Sequence, residues 1–217
     1  MSMPSTNELP ARRYTRAPRM IAFPTEAEVP ESKRHLEIRT ALYAILKHAL
    51  RDRAMIGSEQ FVYWDPTDPS ECVAPDAFVR LGAPDERFVS WKTWERGAPH
   101  LAVEIVSSSD ASEASWAPKL RKYHRLGASE VVRFDPENGE LRIWDFVEGD
   151  LVERVLSRGE PAECVPLGLF WVVAPDEASD LGLRLARDEA GKDLLLTPEE
   201  TALERVRVLE GELAKRR

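Results

Sequence analysis

The sequence predicts an α/β domain, and three observations carry that prediction. Apolar residues recur at helical spacing in one early segment, short β-rich runs punctuated by Asp-Pro, Gly and Pro follow it, and a second helical segment interrupts the strands. A chain of 217 residues with 43% apolar and 31% charged content has ordinary globular composition and can bury a core of its own.

Residues 1–32 read as a Pro/Arg-rich arm: Arg12, Arg13, Arg16 and Arg19 lie among prolines, and neither a helical nor a strand period is visible. From Lys33 the pattern changes. Leu42, Ile45, Leu46, Ala49 and Leu50 form the apolar stripe of an amphipathic helix. Strand character follows at Gln60 to Trp64, Cys72 to Val79 and His100 to Val106. Pro118 suits the first turn of a helix carrying Leu120, Tyr123, His124 and Leu126, and Gly127 stops it. Glu130 to Phe134 is a further strand, and Leu141 to Phe146 with Leu151 to Val155 forms a hairpin around Glu148-Gly149-Asp150. The domain is expected over 33–196, with a separate helix over 197–217. Thr197-Pro198-Glu199-Glu200 is a capping box with proline at its first helical position. Ala202, Val206, Leu209 and Leu213 then alternate by four and three, as a heptad seam does; the helix either docks on its own domain or pairs with a partner, which allows a homodimer.

A net charge of −8 argues against a protein that coats nucleic acid without specificity, since such affinity comes from Lys and Arg on phosphates; a small basic site is compatible with it. Cys72 and Cys164 are too few for a stapled scaffold and have no metal-ligand spacing, so both read as reduced packing residues. No apolar run approaches the roughly 20 residues that span a bilayer, and no signal-like segment is visible, so a cytoplasmic protein without membrane partners is expected.

Two carboxylates stand out. In His100-Leu101-Ala102-Val103-Glu104-Ile105-Val106 both faces are apolar apart from Glu104, so the run reads as an interior strand in which an ionised acid is costly unless paired or bound to a metal. Asp76 repeats the anomaly between Ala74 and Phe78. Each alone could sit at a strand end and meet water or an arginine. Were the two strands neighbours, the acids could lie about 4 Å apart and repel by roughly 4 kcal/mol at an effective dielectric near 20, and a divalent cation would reverse that sign. Hard oxygen ligands suit Mg2+ or Mn2+. Lys119, placed by Pro118 in a first helical turn, opposes the helix dipole there by about 0.3–1 kcal/mol, as a functional or a solvated lysine would. With Arg121, Lys122, His124 and Arg125 it makes a locally basic segment, either a phosphate-facing edge or an exposed helical face.

The blocks Ala74 to Val79, Pro99 to Ser107, Lys119 to Tyr123 and Leu126 to Pro136, in this order, resemble the Uma2 family of restriction-endonuclease-like proteins. The likeness runs from about Lys33 to Val155, and Leu181-Gly182-Leu183 and Leu195 to Glu200 resemble that family's tail. It implies a PD-(D/E)XK core, a mixed central sheet flanked by helices, with Asp76, Glu104 and the Ile105 carbonyl holding the metal. Where many relatives place a lysine two residues after the glutamate this chain has Val106, and Lys119, four residues before Tyr123, takes that part. His35 and Glu37 fall on the helix where relatives keep a histidine and the wider superfamily an acid, so both, with Tyr123, are accessory candidates. Ser115 stands where the family often has an aspartate, and the acidic N-terminal segment of relatives is not recognisable.

The function expected from these readings is metal-dependent hydrolysis of DNA, with Asp76, Glu104 and Lys119 catalytic and Lys119, Lys122 and Arg125 meeting the nucleic acid. The competing expectation is a nuclease-fold module without activity that binds nucleic acid or protein.

Overall fold

The computed structural model describes residues 21–24, 32–107, 112–175 and 181–215, so the arm expected over residues 1–32 lies almost wholly outside the described residues. The first half runs α1 (Lys33–Ala49), β1 (Ala54–Gly57), β2 (Val62–Tyr63), β3 (Cys72–Val73), β4 (Ala77–Leu81), β5 (Trp91–Lys92) and the single-turn α2 (Thr93–Arg96). The second half runs β6 (Leu101–Ile105), α3 (Glu113–Leu126), β7 (Glu130–Asp135), β8 (Glu140–Val147), β9 (Asp150–Glu153), β10 (Ala162–Cys164), β11 (Leu169–Ala174), β12 (Gly182–Ala186) and α4 (Pro198–Lys215).

Six strands form a mixed central sheet in the order β1-β4-β6-β7-β8-β9. Its neighbours pair antiparallel except β6 and β7, which run parallel because α3 crosses between them. Alternation sorts the side chains onto two faces. Ala77 and Val79, Leu101, Val103 and Ile105, and Val132 and Phe134 join one core, which α1 closes with Ile38, Leu42, Ile45 and Leu46 and the antiparallel sheet β10-β11-β12 closes with Trp171, Leu183 and Leu185. Phe78, Ala102 and Val131 point the other way, into a core closed by Trp116, Tyr123 and Leu126 of α3 and by Val62, Val73 and Trp91 of the small sheet β3-β2-β5. The expectation of a mixed central sheet flanked by helices is met, and β6 is covered on both sides as its apolar composition requires.

α1 starts where Ser32 accepts a hydrogen bond from the His35 amide at 3.2 Å, and α3 ends at Gly127, whose left-handed φ of 77° suits a residue without a Cβ. Three details differ from the sequence reading. Cys72 to Val79 is two strands, because Pro75 offers no amide to a ladder and interrupts the pairing. α3 begins five residues before Pro118, at Glu113, where the Ser112 side chain accepts from the Ser115 amide at 3.2 Å; Pro118 lies inside the helix and Lys119 in its second turn, so the dipole argument does not apply to that lysine. Finally, β1, β5, the single-turn α2 and the sheet β10-β11-β12 have no counterpart among the elements expected from sequence. Ala54-Met55-Ile56-Gly57 is buried at every position and so shows no alternation by which to recognise it. No helix among the described residues is long and apolar enough to cross a membrane.

Candidate active site

β4 and β6 are neighbours, paired Ala77 with Val103, Phe78 with Ala102 and Val79 with Leu101. One further step along this register sets Asp76 opposite Glu104. The step is not made by backbone. The Pro75 carbonyl turns to the Glu59 amide at 2.8 Å, and the Ile105 amide, beyond the last ladder pair, is met by the Asp76 carboxylate at 2.6 Å. A proline that breaks a strand thus exchanges a backbone acceptor for a side-chain carboxylate on the central sheet. Ser58 steadies the turn from the other side, donating to the Asp76 carbonyl at 2.8 Å while Arg39 donates to the Ser58 hydroxyl at 3.1 Å.

Asp76 and Glu104 are 6% and 4% exposed, so both acids are taken from water. Nε2 of His35, on α1, lies 2.7 Å from the second Asp76 oxygen. From the opposite face α3 supplies two groups one turn apart, as spacing i, i+4 dictates. The Lys119 ammonium pairs with Oε2 of Glu104 at 2.7 Å, and the Tyr123 hydroxyl donates to Oε1. Burial pushes the Glu104 carboxyl up to about 7; Lys119 opposes the shift and the nearby negative charge of Asp76 adds to it. The two acids therefore feel one another, and the lysine offsets part of the cost.

Each of the four carboxylate oxygens meets one protein donor, and each carries a second lone pair. These oxygens make a sparse, hard donor set of the kind that suits Mg2+ or Mn2+, cations that leave most of their coordination to water and substrate phosphate. No group of three or more His, Cys, Asp and Glu side chains able to cage a metal occurs among the described residues.

The structure brings Asp76, Glu104, Lys119, Tyr123 and His35 together, and places the other candidates elsewhere. Glu37 pairs with Lys33 at 3.4 Å and lines a groove beside α4. Lys122 donates to the Cys72 carbonyl at 3.1 Å and Arg125 pairs with Glu71 at 2.7 Å, so both tie α3 to the strand β3 that precedes Asp76. Arg133 was absent from the candidates. It is the partner of Glu104 in the β6–β7 register, is 3% exposed, and lays its guanidinium 5.5 Å from the Trp116 ring. A charged residue inside Val131-Val132-Arg133-Phe134 is the same sequence signal that singled out Glu104. Arg39 and Ser58 carry no such signal, because their part depends on the fold of the Asp76 turn.

A family model, Uma2, described as "putative restriction endonuclease", matches residues 19–188. Among solved structures, a "putative nuclease belonging to DUF820" from Anabaena variabilis ATCC 29413 aligns over 80% of this chain and 82% of its own, with 13% identity and a TM-score of 0.48. No curated protein matches the chain.

Proposed function

The chain belongs to the Uma2 family of restriction-endonuclease-like proteins, and from that premise we propose that it is a Mg2+- or Mn2+-dependent endonuclease that hydrolyses DNA phosphodiester bonds. One observation carries this reading: two buried acids from adjacent strands meet at one end of the sheet, with a lysine ammonium 2.7 Å from one of them. Asp76, Glu104 and the Ile105 carbonyl would hold the cation. When bound, such an ion stabilises the charge that builds on phosphate oxygens and lowers the pKa of water.

The chain's own groups divide the remaining work. Lys119, partly exposed and paired with Glu104, orients the attacking water and places positive charge beside the scissile phosphate. Tyr123, fully buried, fixes the Glu104 carboxylate, while His35 and the Ile105 amide fix Asp76. Lys122 and Arg125, exposed on the same helix as Lys119 and tied to the Cys72 carbonyl and Glu71, would add positive charge to the edge along which DNA phosphates lie. The unit that does this is residues 33–196, with the arm and the last helix as appendages. Both cysteines are unpaired, as suits a reducing cytoplasm.

The test is a nuclease assay on plasmid, linear duplex and single-stranded DNA with Mn2+, run beside Glu104→Ala and combined with metal titration of both proteins. Cleavage by the parent and none by the variant supports the reading. Metal binding that survives Glu104→Ala, or cleavage by Asp76→Ala at the parent rate, overturns it. Activity on a small phosphodiester that DNA does not inhibit would move the substrate away from nucleic acid.

A further inference from the structure

The helix α4 is built to leave the domain. Its root is fastened: Glu200 accepts from the Thr197 amide at 2.7 Å, Thr197 returns the bond to the Glu200 amide at 3.1 Å, and buried Arg184 grips the same glutamate at 2.8 Å. From Thr201 to Lys215 every residue is exposed, including Leu203, Val206, Leu209 and Leu213 at 46–62%. Eighteen residues make a rod of about 27 Å. At its foot lies an apolar groove of about 560 Å³, lined by Leu36, Ala41 and Ala44 of α1 and by Pro198, with Glu37 and Glu199 also among its lining residues.

We propose that α4 pairs in antiparallel with α4 of a second copy of this chain, so that the tip of each helix enters the groove at the foot of the other. The side chains themselves select this occupant and this direction. With Val206 and Leu213 at heptad positions a, and Ala202 and Leu209 at d, antiparallel pairing sets Val206 against Leu209 of the second copy and small Ala202 against large Leu213. The g positions then bring Arg205 to Glu212 of the second copy, twice by symmetry. Antiparallel pairing also carries the basic Lys215 at the end of each α4 to the root of the other, where Glu37 and Glu199 lie. A parallel pair would instead stack Glu199 on its own copy at the first a position. Burial at both ends supplies what two heptads alone lack, since short isolated helices are marginal in water.

The experiment is sedimentation equilibrium of the full chain over a concentration series, with circular dichroism confirming that the domain stays folded. A concentration-dependent dimer is expected; Leu209→Glu makes it monomeric, and Val208→Glu, on the opposite side of the helix, leaves it dimeric. Arg205→Glu and Glu212→Arg each weaken self-association roughly tenfold by turning two attractions into repulsions, and mixing the two variants restores the dimer, which only the antiparallel register allows. A parent chain that stays monomeric at its solubility limit, a dimer indifferent to Leu209→Glu, or a mixture that fails to associate would each overturn the proposal.

Discussion

Two buried glutamates on adjacent parallel strands, Glu104 on β6 and Glu130 on β7, have been put to opposite uses. Burial raises the pKa of both. Glu130, with no exposure at all, is enclosed by donors: Nε1 of Trp171 at 3.0 Å, the Val165 amide at 3.0 Å and the Arg154 guanidinium at 3.1 Å. It pins the second sheet to the first. Glu104 also has donors, but the negative charge of Asp76 adds to the cost of its burial. Glu130 too stands beside an acid, its register partner Asp145, but the Arg154 guanidinium bridges the two and makes them a fastener; Asp76 and Glu104 are met by separate donors, and such a pair of acids is one that an added cation relieves.

That contrast can be broken or sharpened by experiment. On the proposed reading Asp76→Ala and Glu104→Ala should reduce cleavage to the uncatalysed background while leaving the circular dichroism spectrum that of a folded chain; Asp76→Ala, which leaves the buried Ile105 amide without its acceptor, should also cost roughly 1–3 kcal/mol in denaturant unfolding. Lys119→Met should lower kcat by roughly 10²–10⁴, the range for a positioned proton-transfer group, with metal affinity retained. Glu130→Ala should do the reverse: it leaves the Arg154 charge and the Trp171 donor half-satisfied and should cost roughly 3–5 kcal/mol in denaturant unfolding, with normal activity in whatever remains folded. Tyr123→Phe should weaken metal affinity or rate about 10–100-fold, as loss of a group that orients a ligand does.

The smallest effect is the one with pH. The Glu104 pKa in the folded chain, about 7, lies above its ordinary value of 4.5, so the folded state holds the proton more tightly. Its contribution to stability is then present below 4.5, is lost as pH rises towards 7, and changes no further above that. Metal must displace the same proton, so affinity should climb by up to about tenfold per pH unit below 7 and level off above it. Calorimetric titration with Mg2+ at a series of pH values checks this, and a flat profile would break the distinction between the two glutamates. Glu104→Gln should remove the dependence and raise the Tm of the metal-free protein at pH 8.

Much of this was legible before folding is considered. The stripe of α1, the Gly127 stop, the Thr197 capping box and the double-sided burial of β6 are local patterns, and Glu104 was conspicuous because its neighbours are apolar on both faces. The parts that were not legible are those in which sequence-distant groups compete for the same backbone. Pro118 looked like a start because proline suits a first turn, yet Ser112 caps the helix earlier. Glu37 shares a helix with His35, but a rotation of about 200° over two residues carries it away from Asp76 and into the groove by α4.

From its own order of residues the chain determined where its three long helices lie, which strand is interior, and that two acids sit where burial makes them costly. Tertiary structure alone decided that β4 lies against β6, that Asp76 answers the Ile105 amide in place of a backbone carbonyl, and that α4 from Thr201 to Lys215 stays exposed among the described residues. The physical reason is range: periodicity and capping act within a turn or two, whereas strand partners and the electrostatics of buried acids are set by chain segments some thirty residues apart.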